Sequence, residues 1–379
     1  MPKLLHISDL HIGKPFTAFG EKGRFLREAQ LETFKKIIEL GQKEKVAGIL
    51  ISGDLFDSND VGKILEEVQN LIKESGLKFY ILPGAGEKGV SGHDALVPGS
   101  LYYRENWKDI SNAFIFRKEE GEIFCDAESG IAFYGKPTRY GESPIPALEK
   151  LRDAKYHVAL AHGSIAFREE FKDYPIKEDE IENSGYHYIA LGHWHTFGDY
   201  SKGKTRACYP GSTEILERDR EGRGTALLIT LADEDVSVDA VEVGKFFWKT
   251  YELDISIDEN EAFDRIRNNF NEPSNTILTL RLKGSAPFQK LDRFKSILLH
   301  TLSEFFWVNI DDSDVRPEID LSQYLESTVI GQFIKIINEK INNAKGDNLE
   351  ALKEALRIGV GLLTGELDKK SVSLEDVLR

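Results

Sequence analysis

Five of the nine histidines form an ordered series with several aspartates, and their types and spacing predict a two-metal hydrolytic site. The series runs Asp9-Leu-His11, Gly53-Asp54-Leu-Phe-Asp57, His93-Asp94, His162 and Gly192-His193-Trp-His195. Hydrolysis of a phosphoester needs a nucleophile derived from water near neutral pH and neutralisation of the charge on the phosphoryl oxygens. Two divalent cations about 3.5–4 Å apart supply both when one carboxylate bridges them.

The donor atoms of the series narrow the choice of metal. Carboxylate oxygens and imidazole nitrogens suit Mn, Fe or Zn, whereas thiolates favour Zn or Cu(I). The two cysteines, Cys125 and Cys208, lie outside the series, which favours Mn²⁺. Taken singly, each motif has an ordinary structural interpretation as a turn or a hydrogen-bonded loop histidine. The order and spacing of the whole set favour metal ligands.

The surrounding sequence alternates short apolar runs with amphipathic segments, a rhythm typical of α/β proteins. It predicts strands at residues 4–7, 46–52, 77–82, 131–134, 158–161, 188–191, 206–209, 227–231 and 236–243, and helices at 24–43 and 64–75. Asp9, Asp54, His162 and His193 each follow a predicted strand. Because open α/β sheets bind ligands at the carboxyl ends of their strands, these side chains should lie close together.

The second half of the chain changes pattern near Gly244. Residues 244–318 predict a compact α+β module with strands at 248–255, 276–282 and 306–310 and helices at 258–269 and 288–304. Residues 319–379 predict a helical hairpin with two apolar stripes, at 329–341 and 349–363. A length of 379 residues agrees with two or three domains. From periodicity alone, the hairpin either packs on its own chain or docks on a partner.

Composition excludes several classes of protein. The net charge of −15 argues against non-specific coating of nucleic acid, although a local basic groove remains compatible with it. No apolar run approaches the roughly 18 residues of a membrane span, so no membrane partner is expected. The two cysteines and an N-terminus without a signal-like pattern indicate a soluble cytoplasmic protein.

The motifs resemble those of the calcineurin-like metallophosphoesterase superfamily, whose signature is Asp-x-His, Gly-Asp-x-x-Asp, Gly-Asn-His-Asp/Glu, an isolated His and Gly-His-x-His. More narrowly, four segments resemble the SbcD/Mre-type DNA double-strand-break-repair nucleases and the related YhaO-type exonucleases. These segments are Ile7-Ser-Asp-Leu-His-Ile-Gly13, Ser52-Gly-Asp-Leu-Phe-Asp57, Leu191-Gly-His-Trp-His195 and Tyr209-Pro-Gly-Ser-Thr-Glu214.

The resemblance implies an architecture and a set of partners. Residues 1–243 would form a four-layer α/β sandwich, and 244–318 a smaller α+β cap domain that shapes a DNA groove. Residues 319–379 would form the C-terminal helical hairpin that docks on an SMC-like coiled-coil ATPase. Dimers are common in this family, so a homodimer belongs to the implied partners, although no sequence feature establishes one.

The resemblance also assigns roles to the series. Asp9, His11 and His195 would hold one metal, and His162 and His193 the other, with Asp54 bridging the two ions. His93 would act as the catalytic histidine, stabilising the phosphoryl oxygens or protonating the leaving oxygen, and Asp94 would orient its ring. Asp57 would sit behind a ligand. The four remaining histidines, His6, His157, His187 and His300, match no motif and are interpreted as structural.

One motif departs from the family pattern. Pro83-Gly84 is followed by a Gly-rich segment from Ala85 to Gly92 before His93-Asp94, so the asparagine ligand of the second metal is missing. Glu87 or Ser91 could replace it, water could fill the position, or the second metal could bind weakly. We favour weakened or substituted binding of the second metal with residual activity, because the other ligands persist.

The sequence thus predicts a Mn²⁺-dependent DNA phosphodiesterase that acts on DNA ends or single strands. Two alternatives stay open at this point. One is a phosphoesterase for a different phosphodiester or a phosphoprotein, which the acidic charge would tolerate better. The other is a DNA-end-binding scaffold that lost turnover together with its asparagine.

Overall fold

The structure is a computed structural model that describes residues 1–85, 95–166, 173–218, 220–233, 235–255, 259–318, 324–343 and 347–365. It divides into two compact units, Met1–Trp248 and Lys249–Arg379. His93 and Asp94, and most of the Gly-rich segment that precedes them, lie outside the described residues.

The first unit contains two six-stranded sheets. The first sheet has the strand order β14-β13-β1-β2-β3-β4, in which β1 to β4 run parallel and β13 pairs antiparallel with β1. Its strands are β1 (Lys3–Ile7), β2 (Gly48–Ser52), β3 (Phe79–Leu82), β4 (Ala113–Ile115), β13 (Thr225–Leu231) and β14 (Val236–Glu242).

The second sheet has the order β11-β12-β10-β7-β6-β5, with β12, β10, β7 and β6 parallel. Its strands are β5 (Glu122–Asp126), β6 (Ile131–Gly135), β7 (Tyr156–His162), β10 (Tyr188–Gly192), β11 (Gly198–Asp199) and β12 (Arg206–Tyr209). A separate parallel pair, β8 (Ser164–Ile165) with β9 (Pro175–Ile176), follows β7 directly in sequence.

The two sheets pack face to face through a fully buried apolar layer. Leu4, Leu50 and Tyr80 of the first sheet belong to the same core cluster as Phe133 and Leu160 of the second. This arrangement explains why the strands read as continuous apolar runs, since both faces of each sheet are covered.

Helices cover the outer face of the first sheet. α1 (Gly23–Glu44) buries Leu26, Phe34, Ile37 and Ile38, whose spacing places them on one helical face. α2 (Ile64–Glu74) contributes Val68 and Ile72 to the same core. On the outer face of the second sheet, the short α3 (Glu178–Glu182) contributes Ile181 to a third cluster. The predicted α/β sandwich is thereby confirmed.

The second unit contains a three-stranded sheet in the order β15-β16-β17 and four helices among its described residues. The strands are β15 (Phe247–Asp254), which begins at the boundary between the units, β16 (Thr276–Pro287) and β17 (Trp307–Glu318). α4 (Glu259–Asn268) and α5 (Phe288–Thr301) share an apolar core with this sheet, centred on Ile266, Leu280 and Leu298.

The C-terminal helices pack on each other. α6 (Val329–Ile341) and α7 (Asp347–Thr364) meet through Ile334, Leu356 and Val360. Thr328 immediately precedes α6, and its hydroxyl accepts a hydrogen bond from the Gly331 amide and so caps the helix. The predicted hairpin is therefore present. Within the described ranges, no helix has the length and apolarity needed to cross a membrane.

Candidate metal centre

Four neighbouring strands deliver the predicted ligands to one place. Asp9 follows β1 and Asp54 follows β2, which are adjacent in the first sheet. His162 ends β7 and His193 follows β10, which are adjacent in the second sheet. Because the two sheets are stacked, the carboxyl ends of these strands meet, and the structure brings the residues together as the sequence predicts.

The backbone at the cluster adopts an unusual conformation. Asp9, His11, Asp54 and His193 all have positive φ angles, of 51°, 46°, 51° and 103°. Left-handed backbone costs about 1–2 kcal/mol per non-glycine residue, and such strain concentrates at functional sites. Hydrogen bonds hold two of these turns against each other, since the Asp9 amide donates to the Gly53 carbonyl at 3.1 Å and the His11 amide to the Asp54 carbonyl at 2.9 Å.

Asp9, His11 and His195 form the first group that could hold a metal ion, with ligand atoms within 4.8 Å of one another. His195 Nε2 lies 3.8 Å from Asp9 Oδ1. The rings of His11 and His195 meet edge to face, with centroids 5.2 Å apart. These are the three residues assigned by resemblance to one metal.

Asp9, Asp54 and His162 form the second group, and all three are buried. Asp54 Oδ2 lies 3.5 Å from His11 Nε2 and 3.6 Å from His162 Nε2. Asp54 thus stands between a histidine assigned to one metal and a histidine assigned to the other, which is where a bridging carboxylate would have to be.

His193 is placed at the cluster but belongs to neither group. Its ring packs edge to face on His162, with centroids 5.1 Å apart. Its backbone amide donates to both carboxylate oxygens of Asp9, at 3.2 and 3.1 Å. The backbone of His193, which follows β10 of the second sheet, is therefore hydrogen-bonded to Asp9, which follows β1 of the first sheet.

Two glycines permit this close approach between the sheets. A Cβ on Gly192 would lie 1.8 Å from the Ser52 carbonyl oxygen, and one on Gly53 would lie 2.0 Å from His162 Nδ1. A side chain at Gly53 would collide with the His162 ring, and one at Gly192 would collide with the Ser52 carbonyl that faces this ring. The glycines of the Gly-Asp and Gly-His motifs are thus required by packing as well as by turn geometry.

Three of the four predicted ligand histidines have an oxygen behind the second ring nitrogen. His162 Nδ1 lies 2.8 Å from the Ser52 carbonyl, so Nδ1 carries the proton and Nε2 is left as the donor atom for a metal. His11 Nδ1 lies 3.3 Å from Asp57 Oδ1, and His195 Nδ1 lies 3.5 Å from Glu217 Oε1. Such oxygens fix ring orientation and raise the basicity of the ligand.

Burial and charge set the protonation states that metal binding requires. Burial lowers the pKa of His162 to about 3, so its ring is neutral. Burial acts to raise the pKa of Asp9, but the nearby His162, His195 and His11 and the Ser8 hydroxyl outweigh it, and the pKa is lowered. The cluster therefore offers a charged carboxylate beside a neutral imidazole.

The arrangement fits divalent cations. Within the part of the chain that the structure describes, the fully buried His162 Nε2 has no hydrogen-bond partner, which is costly unless another group occupies the space it faces. Asp9 and Asp54 add buried carboxylates that a cation would neutralise. Buried imidazole and carboxylate donors of this kind suit Mn, Fe or Zn.

Sequence reasoning missed residues that support the cluster. His6 is completely buried between the sheets, where Nδ1 lies 2.7 Å from the Tyr188 hydroxyl and Nε2 lies 2.8 Å from the Ser52 hydroxyl. Glu217 stands behind His195, and Tyr174 packs on His193 with ring centroids 5.9 Å apart. A histidine inside an apolar strand, three residues before Asp9, was the available signal for His6.

Comparison with known proteins defines the class. Residues 2–197, about half of the chain, match the family model for calcineurin-like phosphoesterases, so the chain belongs to this family. The predicted superfamily is confirmed, and so is the predicted enzyme class at the level of a metal-dependent phosphoesterase.

Individual relatives are similar at modest identity. The chain is 25% identical over 349 residues to the uncharacterized metallophosphoesterase YhaO of Bacillus subtilis (strain 168), covering 84% of this chain and 83% of that protein. It is 24% identical over 406 residues to the DNA double-strand break repair protein Mre11 of Sulfurisphaera tokodaii, covering 95% and 97%. The Mre11 protein of Aeropyrum pernix is 27% identical over 275 residues, covering 67% and 64%.

Proposed function

We propose that this chain is a Mn²⁺-dependent DNA phosphodiesterase that cleaves DNA ends or single strands during double-strand-break repair. The observation that carries the proposal is the convergence of Asp9, His11, Asp54, His162 and His195 into two groups that share Asp9. The similarity to the DNA double-strand break repair protein of Sulfurisphaera tokodaii over 95% of the chain supports DNA as the substrate.

The ligand assignment follows the predicted one. Asp9, His11 and His195 would hold one ion and His162 and His193 the other, with Asp54 as the carboxylate common to both; Asp9 also lies within reach of the second group. Two divalent ions, when bound, would neutralise charge on the phosphoryl oxygens and supply a nucleophile from water near neutral pH. The protein's part is to hold imidazoles and carboxylates in one place at the strand ends, with oxygens behind His11, His162 and His195 that fix their rings.

His93 and Asp94 complete the proposal as the acid that protonates the leaving oxygen and the group that orients it. The missing asparagine lies in the same segment, so Glu87, Ser91 or water fills that position in our proposal and the second metal binds less tightly than the first.

The second unit supplies the proposed macromolecular contacts. Residues 244–318 act as the cap that shapes a DNA groove, and residues 319–379 dock on an SMC-like coiled-coil ATPase. Exposed apolar side chains on and before α6 support the docking role: Val329 is 77% exposed, Leu325 72% and Ile336 52%. A homodimer remains part of the proposal.

We also propose that the protein is located in the cytoplasm. Both cysteines are free, Cys125 at the surface and Cys208 in the core, as expected in a reducing compartment.

The decisive experiment is digestion of end-labelled double-stranded and single-stranded DNA in Mn²⁺ by the full-length protein and by His93→Ala. We expect cleavage by the first and a loss of roughly 10²–10⁴-fold in the second, the usual range for a positioned acid. Equal cleavage by both proteins would exclude the mechanism.

A second candidate function is favoured by the net charge of −15, which suits a small phosphodiester better than a DNA duplex. Hydrolysis of bis(p-nitrophenyl) phosphate without cleavage of either DNA would favour it. No turnover of any substrate, with one tightly held ion or none, would favour the DNA-end-binding scaffold.

A further inference from the structure

A row of aromatic rings leads outward from the metal centre. His162 packs on His193, His193 on Tyr174 with centroids 5.9 Å apart, and Tyr174 on Tyr140 with centroids 6.3 Å apart. All three contacts are edge to face, the arrangement that aromatic pairs prefer. Tyr174 is 6% exposed, whereas Tyr140 at the outer end is 50% exposed. We call these four residues the aromatic row.

Hydrogen bonds fix the outer part of the row to the metal-binding strand. The Ser164 amide donates to the Tyr174 carbonyl at 2.9 Å, within the segment where β8 pairs with β9 immediately after His162. The Thr138 hydroxyl donates to the His162 carbonyl at 3.0 Å. The Gly141 amide donates to the Asp173 carbonyl at 2.7 Å. Tyr140 is thus flanked on both sides by bonds to the segment that carries His162 and Tyr174.

Charges beside Tyr140 do not favour a purely electrostatic contact with a nucleic-acid backbone. Lys136 lies 3.7 Å from Glu142, and Arg139 is paired with Glu119. The basic side chains on this loop are therefore already balanced by carboxylates, in a chain with a net charge of −15. Stacking of a base on an aromatic ring is the other general source of affinity for single strands, and it is independent of sequence because every base has a π face.

We propose that Tyr140 is a stacking platform for an unpaired nucleobase next to the scissile phosphodiester, and that Tyr174 positions it relative to the metal centre. The inference rests on the proposed nuclease function and sharpens it, because a base must be unstacked to reach the ring. Single strands and frayed ends are then better substrates than closed duplex. Tyr140 contributes to substrate affinity, and the metal ligands to the chemical step.

The test compares a single-stranded oligothymidylate with an abasic oligonucleotide of equal length, both cleaved by the full-length protein in Mn²⁺. The measured quantity is the KM for the abasic strand divided by the KM for the natural strand. Loss of one base–aromatic stack corresponds to about 5- to 150-fold in affinity. We expect a ratio in this range for the unmodified protein and for Tyr140→Phe, and a ratio near one for Tyr140→Ala.

Tyr103→Ala is the matched control, because Tyr103 is also 50% exposed and no described ring contact connects it to the aromatic row. This variant should keep the ratio of the unmodified protein. The stacking role would be overturned by a KM ratio near one in the unmodified protein or by an unchanged ratio in Tyr140→Ala. It would also be overturned by a ratio that falls to near one in Tyr103→Ala. Hydrolysis of bis(p-nitrophenyl) phosphate without cleavage of either strand would instead overturn the proposed DNA substrate.

Discussion

The two sheets contribute unlike halves to the metal centre. The first sheet supplies Asp9, His11 and Asp54, all buried and all held in left-handed turns that bond to each other. The second sheet supplies histidines of increasing exposure, from the fully buried His162 to His195, whose side chain is 20% exposed. One half is therefore enclosed, and the other opens toward the surface.

This difference indicates that the two sheets contribute unequally to metal binding. The pKa of the enclosed Asp9 carboxylate is lowered because the histidines beside it and the Ser8 hydroxyl outweigh the effect of burial. His162 and His193 of the second sheet belong to the aromatic row, which ends at the exposed Tyr140. Changes on the first side should therefore affect metal content most, and changes on the second side should have smaller effects.

The largest effect is expected for Asp54→Asn. The substitution removes the charge that lies between His11 and His162, so under the proposed assignment both metal positions lose an anionic ligand, and metal content should fall well below that of the unmodified protein. Activity should drop by more than the roughly 10- to 100-fold typical of losing a group behind a ligand. Metal analysis of purified protein and phosphodiesterase assays measure the two quantities.

Asp239→Asn is the control for this change, because Asp239 is an exposed carboxylate on β14 of the same sheet. It should leave metal content and activity unaltered. Normal metal content in Asp54→Asn would show that the residues of the first sheet are not the main source of metal affinity.

Carboxylates behind the histidines allow a direct test of the two sides. Asp57 stands 3.3 Å behind His11 on the first side, and its side chain is 21% exposed. Glu217 stands 3.5 Å behind His195 on the second side and is 48% exposed. Because solvent screens the second pair more strongly, Asp57→Asn should weaken metal affinity by about 10- to 100-fold and Glu217→Gln by less.

Metal titration by calorimetry gives both affinities. A larger loss in Glu217→Gln than in Asp57→Asn would reverse the proposed ranking of the two sides. Both amide variants preserve the size of the original side chain, so a difference between them reports the charge behind each ring.

The sequence predicts those ligands of the metal centre that directly follow an apolar strand. Asp9, Asp54, His162 and His193 follow apolar runs directly, so the pattern of strands and polar residues was sufficient to place them together. Most strands of both sheets were predicted for the same reason. The short β4 and β5 were missed because Ala113–Ile115 and Glu122–Asp126 lack a long apolar run.

Residues that act through long-range contacts could not be predicted. Glu217 approaches His195 from a loop, and its sequence neighbourhood has no motif that specifies a partner. Glu214 was noted only within a family segment, yet its buried carboxylate accepts hydrogen bonds from the Thr33 hydroxyl and the Lys245 amide. The partners in each of these pairs lie far apart in sequence, so local periodicity carries no information about their contacts.

The smallest expected effect is on the pH dependence of stability, and it comes from His6, which is buried between the two sheets. His6 belongs to the first sheet and contacts Tyr188 of the second, and burial lowers its pKa to about 3 from the ordinary 6.5, against the opposing charge of Asp9. In the unfolded chain His6 is therefore protonated below about pH 6.5, whereas in the folded protein it is protonated only below about pH 3. Stability that is present above pH 6.5 is lost as the pH falls through this window.

Each such histidine contributes at most about 1.4 kcal/mol per pH unit to that slope, and His162 contributes in the same direction. In metal-free protein, His6→Gln should therefore flatten the dependence of the free energy of unfolding on pH between 3 and 6.5, whereas His300→Gln, at an exposed histidine of α5, should not. Denaturant unfolding at several pH values measures it. An unchanged slope in His6→Gln would contradict the lowered pKa of His6 in the folded protein.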